Sequence, residues 1–270
     1  IKTIEDHLYI LVVQMFDNIY VKDLFLFVKF FVEKKAAFRY SLEEGLNRPK
    51  IKVSLFNLNS ILKKISEENN ALIYYEDNNK KRLKNGEGIL YYANKNTAFK
   101  GKIENNKKNG EGILYYDDGY EAYKGNWEND KAEGYGEFFI EIDDFNVRYE
   151  GNWKNNVAYG KGKIFLYGKL YYEGDFVNGS MEGKGKMHYE SEDEYVDYEG
   201  QFENCFWHGK GTRYYRDKKI MYQGDYKNGK ENGEGIFFND KNGEYYKGEF
   251  KDGSPCGEGI WYNSDGTIKL

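Results

Sequence analysis

Cysteine and proline are both scarce in this chain, with two of each among 270 residues. Cys205 and Cys256 are too few for a disulfide framework, so we expect two free thiols, as in proteins of reducing compartments. The three histidines, His7, His188 and His208, are scattered along the sequence, and no cluster of Cys and His has the spacing of a metal site. The sequence therefore predicts neither a metal nor a cofactor.

Uninterrupted hydrophobic runs and an excess of basic residues are also missing. In the N-terminal segment, Asp17, Lys22, Asp23 and Lys29 interrupt every apolar window that is long enough to cross a bilayer. The chain has 40 Lys and Arg against 45 Asp and Glu, and its mean hydropathy is −0.87. This acidic balance, without a basic stripe, argues against nucleic-acid binding and weakens attraction to anionic membranes.

Glycine and tyrosine are abundant instead, with 31 and 27 residues, and they recur in a fixed pattern. Seven times an aromatic-x-Gly is followed by a Gly-x-Gly, and the two motifs are always 9 residues apart, as from Gly101 to Gly110. The distance from one unit's first aromatic to the next varies between 23 and 26 residues, so insertions fall between units. A fixed unit with one variable edge indicates a stacked repeat array.

Each unit is predicted to form a β-hairpin. In the first strand, Tyr149, Gly151 and Trp153 alternate along one face, and a second short run after each Gly-x-Gly has an aromatic residue at its third position in almost every unit. A glycine between two aromatics leaves a notch, so a ring of the neighbouring unit can lie close against the backbone. Stacked hairpins would bury a continuous ladder of rings.

The pattern resembles the MORN (membrane occupation and recognition nexus) repeat, whose motif runs roughly Tyr-x-Gly-x-Trp-x-Asn-Gly-x-x-x-Gly-x-Gly. The resemblance covers about residues 73–270, and the segments Tyr149–Trp153 and Tyr172–Gly179 carry it clearly. Tyr75-Glu-Asp77 departs from the aromatic-x-Gly expected in the first of about eight units, and we interpret that unit as a degenerate terminal repeat. The expected fold is mostly β, an elongated single-layer array of stacked antiparallel β-hairpins.

Residues 1–72 differ in kind and are predicted to form an N-terminal α-helical segment. Apolar residues recur there at a mostly helical spacing, and Pro49 precedes a second helix that starts near Ser54. The run from Phe25 to Val32 is also compatible with a strand. Two roles stay open, a cap on the first hairpin or an apolar face for a partner. The partner role would use Phe16, Tyr20, Leu24, Phe27 and Phe31.

The expected function is binding and not catalysis. Some MORN proteins carry lipid kinase or methyltransferase domains, but no signature of either occurs here. The resemblance implies a non-catalytic cytoplasmic scaffold that binds other proteins of a cytoskeletal or ciliary assembly, and MORN arrays are also known to dimerise. Aromatic side chains lose little entropy on docking, so they form the predicted contact rows. These rows comprise Trp127, Trp153, Phe176, Phe202, Tyr226 and Phe250 of the first strands, and Tyr115, Phe139, Phe165, Tyr214 and Phe238 of the second strands.

A membrane tether is the alternative, because the family name implies membranes and some members bind phosphoinositides. Such a tether would bind anionic phospholipids through basic clusters on the repeats. The candidate residues are Lys80, Lys81, Arg82, Lys107 and Lys108. Lipid binding of this kind would be salt-sensitive, whereas protein contacts through aromatic rings would tolerate salt.

Overall fold

The computed structural model describes residues 75–76, 82–92, 94–116, 118–142, 145–188 and 195–269. The predicted N-terminal helices, with Phe16, Tyr20, Leu24, Phe27 and Phe31, lie outside the described residues, as do Lys80 and Lys81. The chain divides into two compact units. Among the described residues, the first unit holds residues up to 146 and residues 152–157, and the second holds residues 147–151 and 158–269.

The described residues are almost entirely antiparallel β-strands, which confirms the mostly β prediction. From β3 to β7 and from β9 to β17, each strand pairs with the next one along the chain, so the strands form consecutive hairpins. The strands are β1 (Tyr75–Glu76), β2 (Arg82–Leu83), β3 (Gly86–Tyr91), β4 (Thr97–Glu104), β5 (Lys107–Tyr115), β6 (Glu121–Glu128), β7 (Lys131–Ile142), β8 (Phe145–Lys154), β9 (Val157–Leu166), β10 (Lys169–Val177), β11 (Ser180–His188), β12 (Val196–Glu203), β13 (Phe206–Tyr214), β14 (Ile220–Lys227), β15 (Lys230–Phe238), β16 (Tyr245–Lys251) and β17 (Ser254–Tyr262).

Tight two-residue turns connect the two strands of each repeat. Both turn residues have a positive φ, as a type I′ turn requires, and Asn, Asp and Gly adopt this conformation most readily. In the first unit φ is 50° at Asn129 and 70° at Asp130; in the second it is 52° at Asn228 and 83° at Gly229. These turns match the twist of the flanking strands and fix the register of each hairpin.

A hydrogen-bond ladder joins each turn to the preceding hairpin. In the first unit the Asp130 amide donates to the Lys108 carbonyl at 3.0 Å. In the second unit the Cys205 amide donates to the Met181 carbonyl at the same distance. The backbone of each turn is thereby satisfied by its neighbour, which ties each repeat to the preceding one.

The paired glycines form a row across the strands within each unit. In the second unit Gly211 lies opposite Gly200 on one side and Gly224 on the other. A Cβ on Gly211 would lie 2.5 Å from Cζ of Tyr198, because that ring covers the glycine backbone. The first aromatic residue of each unit, Phe99 or a tyrosine, therefore occupies the space that a side chain in place of these glycines would need.

Interlocked aromatic rings form the core beside this glycine row. In the first unit the indole N–H of Trp127 donates to the carbonyl of Gly112 in the preceding repeat at 3.2 Å, which confirms the predicted close approach of a neighbouring ring. In the second unit Tyr198 makes edge-to-face contacts with Phe202 and with Tyr226 of the next repeat, with ring centroids 5.3 and 5.1 Å apart. Each ring thus packs within its own repeat and against the next one.

Candidate partner-binding surface

The first-strand rings predicted to contact a partner are core residues. None of the six has more than 5% of its surface exposed, and their contacts with other rings account for this burial. Their role in partner binding stays a prediction, because little of their surface is available in this structure. They are Trp127, Trp153, Phe176, Phe202, Tyr226 and Phe250.

Within each unit, the second-strand rings lie on the side of the strands opposite to the first-strand rings, and we call this side the outer face of that unit. Side chains alternate along a strand, so Tyr115 points away from the buried Leu114 and Phe139 points away from the buried Phe138. All five predicted second-strand rings are half-buried; they are Tyr115, Phe139, Phe165, Tyr214 and Phe238. The outer face therefore presents partly exposed rings in both units, which a partner is able to contact.

Two tyrosines outside the predicted contact rows extend the outer ring row in the second unit. The rings of Tyr245 and Tyr262 stack with centroids 4.7 Å apart and an interplanar angle of 9°. On the side of Tyr245 away from Tyr262, the ring centroid of Phe238 lies 5.7 Å from that of Tyr245. Tyr245 directly precedes the core aromatic Tyr246, and this doubling of aromatic residues was the available sequence signal.

Charged side chains flank the rings on the outer face. In the second unit Nζ of Lys161 lies 2.6 Å from Asp175, and Nζ of Lys210 lies 2.8 Å from Asp225. Burial acts to raise the pKa of Asp175, but the hydrogen bonds from Lys161 and from the backbone amide of Lys184 outweigh it and hold that pKa below its usual value. Lysine between the two glycines and a carboxylate on the next strand thus form cross-strand ion pairs.

A shallow groove of about 500 Å³ crosses the outer face of the second unit. It follows the backbone of Gly211, Gly224 and Gly235 across three adjacent strands. Its walls combine charged, polar and apolar side chains, namely Glu199, Lys210, Thr212, Gln223, Glu234, Ile236 and Lys247. The groove is open to solvent and crosses several strands, so its shape suits an extended segment better than a compact small molecule.

One of the lysines proposed to bind lipid is part of the core. Lys108 is 7% exposed, its ammonium lies 3.2 Å from Asp130, and it lies 5.3 Å from the centroid of the Trp127 ring. Burial lowers the pKa of Lys108, while Asp130 acts in the opposite direction. Lys107 is exposed, and Arg82 is described only as backbone in β2. The lipid role of this cluster stays a prediction, now without an exposed Lys108.

Both cysteines are free, as predicted. The Cys205 sulfur accepts a hydrogen bond from the Met181 amide at 3.3 Å, and burial raises the pKa of this thiol to about 11. In the described part of the chain, no three His, Cys, Asp or Glu side chains form a group that could hold a metal ion. Nor does a helix in those residues have the length and apolar character to span a membrane.

A family model described as MORN repeat matches the chain in seven segments that together cover more than half of it. The segments are 99–119, 123–139, 149–165, 172–194, 198–219, 222–243 and 246–268. The chain belongs to the MORN repeat family. MORN repeats are generally non-catalytic and are associated with protein or membrane interactions. A comparison with curated proteins gives no match.

The seven MORN segments begin at the first-strand aromatics, which confirms the repeat units that start at Phe99 and at each later aromatic-x-Gly. The additional, degenerate first unit expected around Gly86 precedes the matched segments and stays a prediction. Its second strand nevertheless continues the glycine row, since Gly88 lies opposite Gly101.

Proposed function

We propose that this MORN protein is a non-catalytic scaffold that binds partner proteins with the outer face of its repeats. The observation that supports this function is the difference in exposure between the two ring rows. The first-strand rings are at most 5% exposed, whereas the second-strand rings remain half-buried on the other side of the strands. The fold is held by one row, so the other row is available for binding.

The rigidity of the hairpins favours this function. Turns with fixed register and interlocked core rings hold the outer rings in place before a partner arrives, which lowers the entropy lost on binding. Partly buried aromatic residues are also the side chains that most often dominate binding energy at interfaces. We therefore assign the contact to Phe139 in the first unit and to Tyr214 and Phe238 in the second, with their neighbours on the same face.

The proposed setting is a larger cytoplasmic assembly of the cytoskeleton or a cilium, and a second copy of the chain is one of the partners it accommodates. A membrane tether has weaker support. The repeats are acidic in sum, since residues 1–72 hold 11 basic and 9 acidic residues and the remainder carries a net charge of −7. Lys108, moreover, is buried in an ion pair.

The test uses the intact chain as bait in extract of its own cells, at low and at high salt. The outer-face variant combines Phe139→Ser with Tyr214→Ser, and the matched control combines Tyr120→Ser with Val177→Ser, two exposed positions beside turns. We expect partner proteins that persist at high salt, are lost from the outer-face variant and remain on the control.

Two results would overturn the proposal. Partners that bind the outer-face variant as well as the wild type would exclude the second-strand rings as the contact. If no protein is retained and the chain floats with anionic vesicles only at low salt, the membrane tether replaces the scaffold. Circular dichroism of both variants shows whether either one has lost its fold.

A further inference from the structure

Three repeats of the second unit follow a charge rule on the outer face: the residue between the two glycines of Gly-x-Gly faces an oppositely charged or neutral residue on the next strand. In the second unit this position holds Lys161, Lys184 and Lys210 in successive repeats. Lys161 and Lys210 each face an aspartate on the next strand, and Lys184 faces Gln201. The residues that face each other across these strands therefore attract or are neutral toward each other.

The last two repeats carry Glu at this position, and Glu234 breaks the rule. Glu234 occupies the position of the lysines and lies directly opposite Glu249 of β16. Glu258 then holds the same position in β17, between Gly257 and Gly259. All three carboxylates are exposed, and among the described residues none of them has a cation within ion-pair distance. Like charges that face each other destabilise a sheet, so the fold itself does not favour this arrangement.

Apolar groups line the same part of the outer face, next to the carboxylates. Ile236 is half-buried, and Ile260 is 43% exposed. The stacked rings of Tyr245 and Tyr262 lie beyond these isoleucines. The groove described above ends here, with Glu234 and Ile236 in its wall, and Lys247 stands between the two isoleucines.

We propose that the outer face of β15, β16 and β17 docks an extended segment of a partner protein in which basic residues alternate with apolar ones. The inference rests on the proposed scaffold function and names the kind of segment that this face binds. In an extended chain, successive side chains point to opposite sides. A segment that lies between the two rows would direct its basic side chains to Glu234, Glu249 and Glu258, and its apolar side chains to the isoleucines and tyrosines.

The spacing of the three carboxylates agrees with the spacing of side chains in an extended segment. Adjacent strands lie about 4.8 Å apart, so Glu234 and Glu258, two strands apart, are separated by about 10 Å along the row. Basic residues at alternate positions of an extended segment repeat about every 7 Å. Two or three basic residues thus span the three carboxylates. The negative row also steers a basic segment toward this face before contact.

The binding test titrates the intact chain into a fluorescent peptide of alternating Lys and Ile, with Lys/Gly and Glu/Ile peptides for comparison. The variant carries Glu234→Gln, Glu249→Gln and Glu258→Gln. The matched control carries Glu87→Gln, Glu111→Gln and Glu128→Gln, of which the first two occupy the same Gly-x-Gly position in the first unit. We expect the variant to bind the Lys/Ile peptide about tenfold more weakly or worse, and the control to bind as the wild type does.

A single substitution separates loss of binding from loss of fold. Glu234→Lys restores the charge rule, since Glu249 would face a cation as Asp225 faces Lys210 at 2.8 Å. We expect the melting temperature of this variant to be about 1–3 °C higher than that of the wild type. We also expect it to lose its affinity for the Lys/Ile peptide. A damaged protein would instead melt at a lower temperature.

Three results would overturn the inference. They are unchanged affinity of the triple variant, an equal loss of affinity in the control, and equal binding of the Lys/Gly and Lys/Ile peptides, which would show attraction of any polycation. The scaffold function survives any of these results if partners captured from extract still depend on Phe139 and Tyr214, so the two proposals fail independently.

Discussion

Replacing Gly211 by alanine adds a methyl group where the structure holds the ring of Tyr198. The new Cβ would lie 2.5 Å from Cζ of that ring, well inside van der Waals contact. The ring has little room to move, because it stacks on Trp207 at 4.6 Å and meets Phe202 and Tyr226 edge-on. The φ of Gly211 lies outside the left-handed region, so the cost is steric and not a backbone effect.

The expected loss of stability follows from three contributions. Overpacking a core site costs about 1–3 kcal/mol. Displacing the ring also weakens the hydrogen bond from the Tyr198 hydroxyl to the Gln201 carbonyl, 2.9 Å long, which contributes about 1 kcal/mol. Alanine recovers about 0.4–1 kcal/mol, because it restricts the unfolded chain. We therefore expect Gly211→Ala to destabilise the protein by about 2 kcal/mol.

Urea unfolding and hydrogen exchange measure this effect. The control is Gly168→Ala, which has a φ of 76° and no atom within 4 Å of the added Cβ, so only backbone strain of about 1 kcal/mol applies. We expect Gly211→Ala to cost more than the control and to lower protection in β12 and β13. In a Tyr198→Leu background the cost should largely vanish. If Gly211→Ala is no worse than Gly168→Ala, or costs the same without the Tyr198 ring, the packing explanation is wrong.

Three further predictions concern single side chains. Lys108→Met should stabilise the protein by about 1 kcal/mol at pH 7, because it removes a buried charge and leaves Asp130 bonded to the backbone amide at 2.9 Å. Burial lowers the folded-state pKa of Lys108, so urea unfolding should show the advantage of this variant shrinking as the pH rises toward 10.5. Asn156→Ala should destabilise the protein by about 1–2 kcal/mol in thermal unfolding. The Asn156 side chain accepts a hydrogen bond from the Ala132 amide at 2.8 Å, and the φ of Asn156 is 70°, which alanine adopts less readily. Cys205 should react with a thiol reagent at pH 7.5 much more slowly than in the urea-unfolded chain, because its pKa is about 11.

Each of these predictions has an outcome that contradicts it. A destabilised Lys108→Met protein would show that the ion pair and the ring contacts outweigh the cost of burial. If Asn156→Ala were neutral, the side-chain bond between successive repeats would contribute nothing measurable. Labelling of Cys205 at the same rate in the native and unfolded proteins would mean that its turn opens freely.

The sequence alone determined the repeat and the hairpin. These features are local: a period of two and a fixed spacing of 9 residues between glycines place Tyr149, Gly151 and Trp153 on one face without knowledge of any partner strand. Tyrosine and glycine must then occur together, since the ring of one fills the space left by the other. The family resemblance rests on the same local pattern.

Tertiary structure decided which rings are covered and which charges meet. Alternation along a strand shows that Phe138 and Phe139 point to opposite sides, but only packing against neighbouring strands makes one 1% exposed and leaves the other half-buried. The charge of Lys108 suggested a surface site, yet Asp130 and the ring of Trp127, each about 20 residues away, enclose it. Glu234 and Glu249 face each other only because of the register between β15 and β16. Burial and cross-strand pairing depend on residues far apart in the chain, and no local pattern contains them.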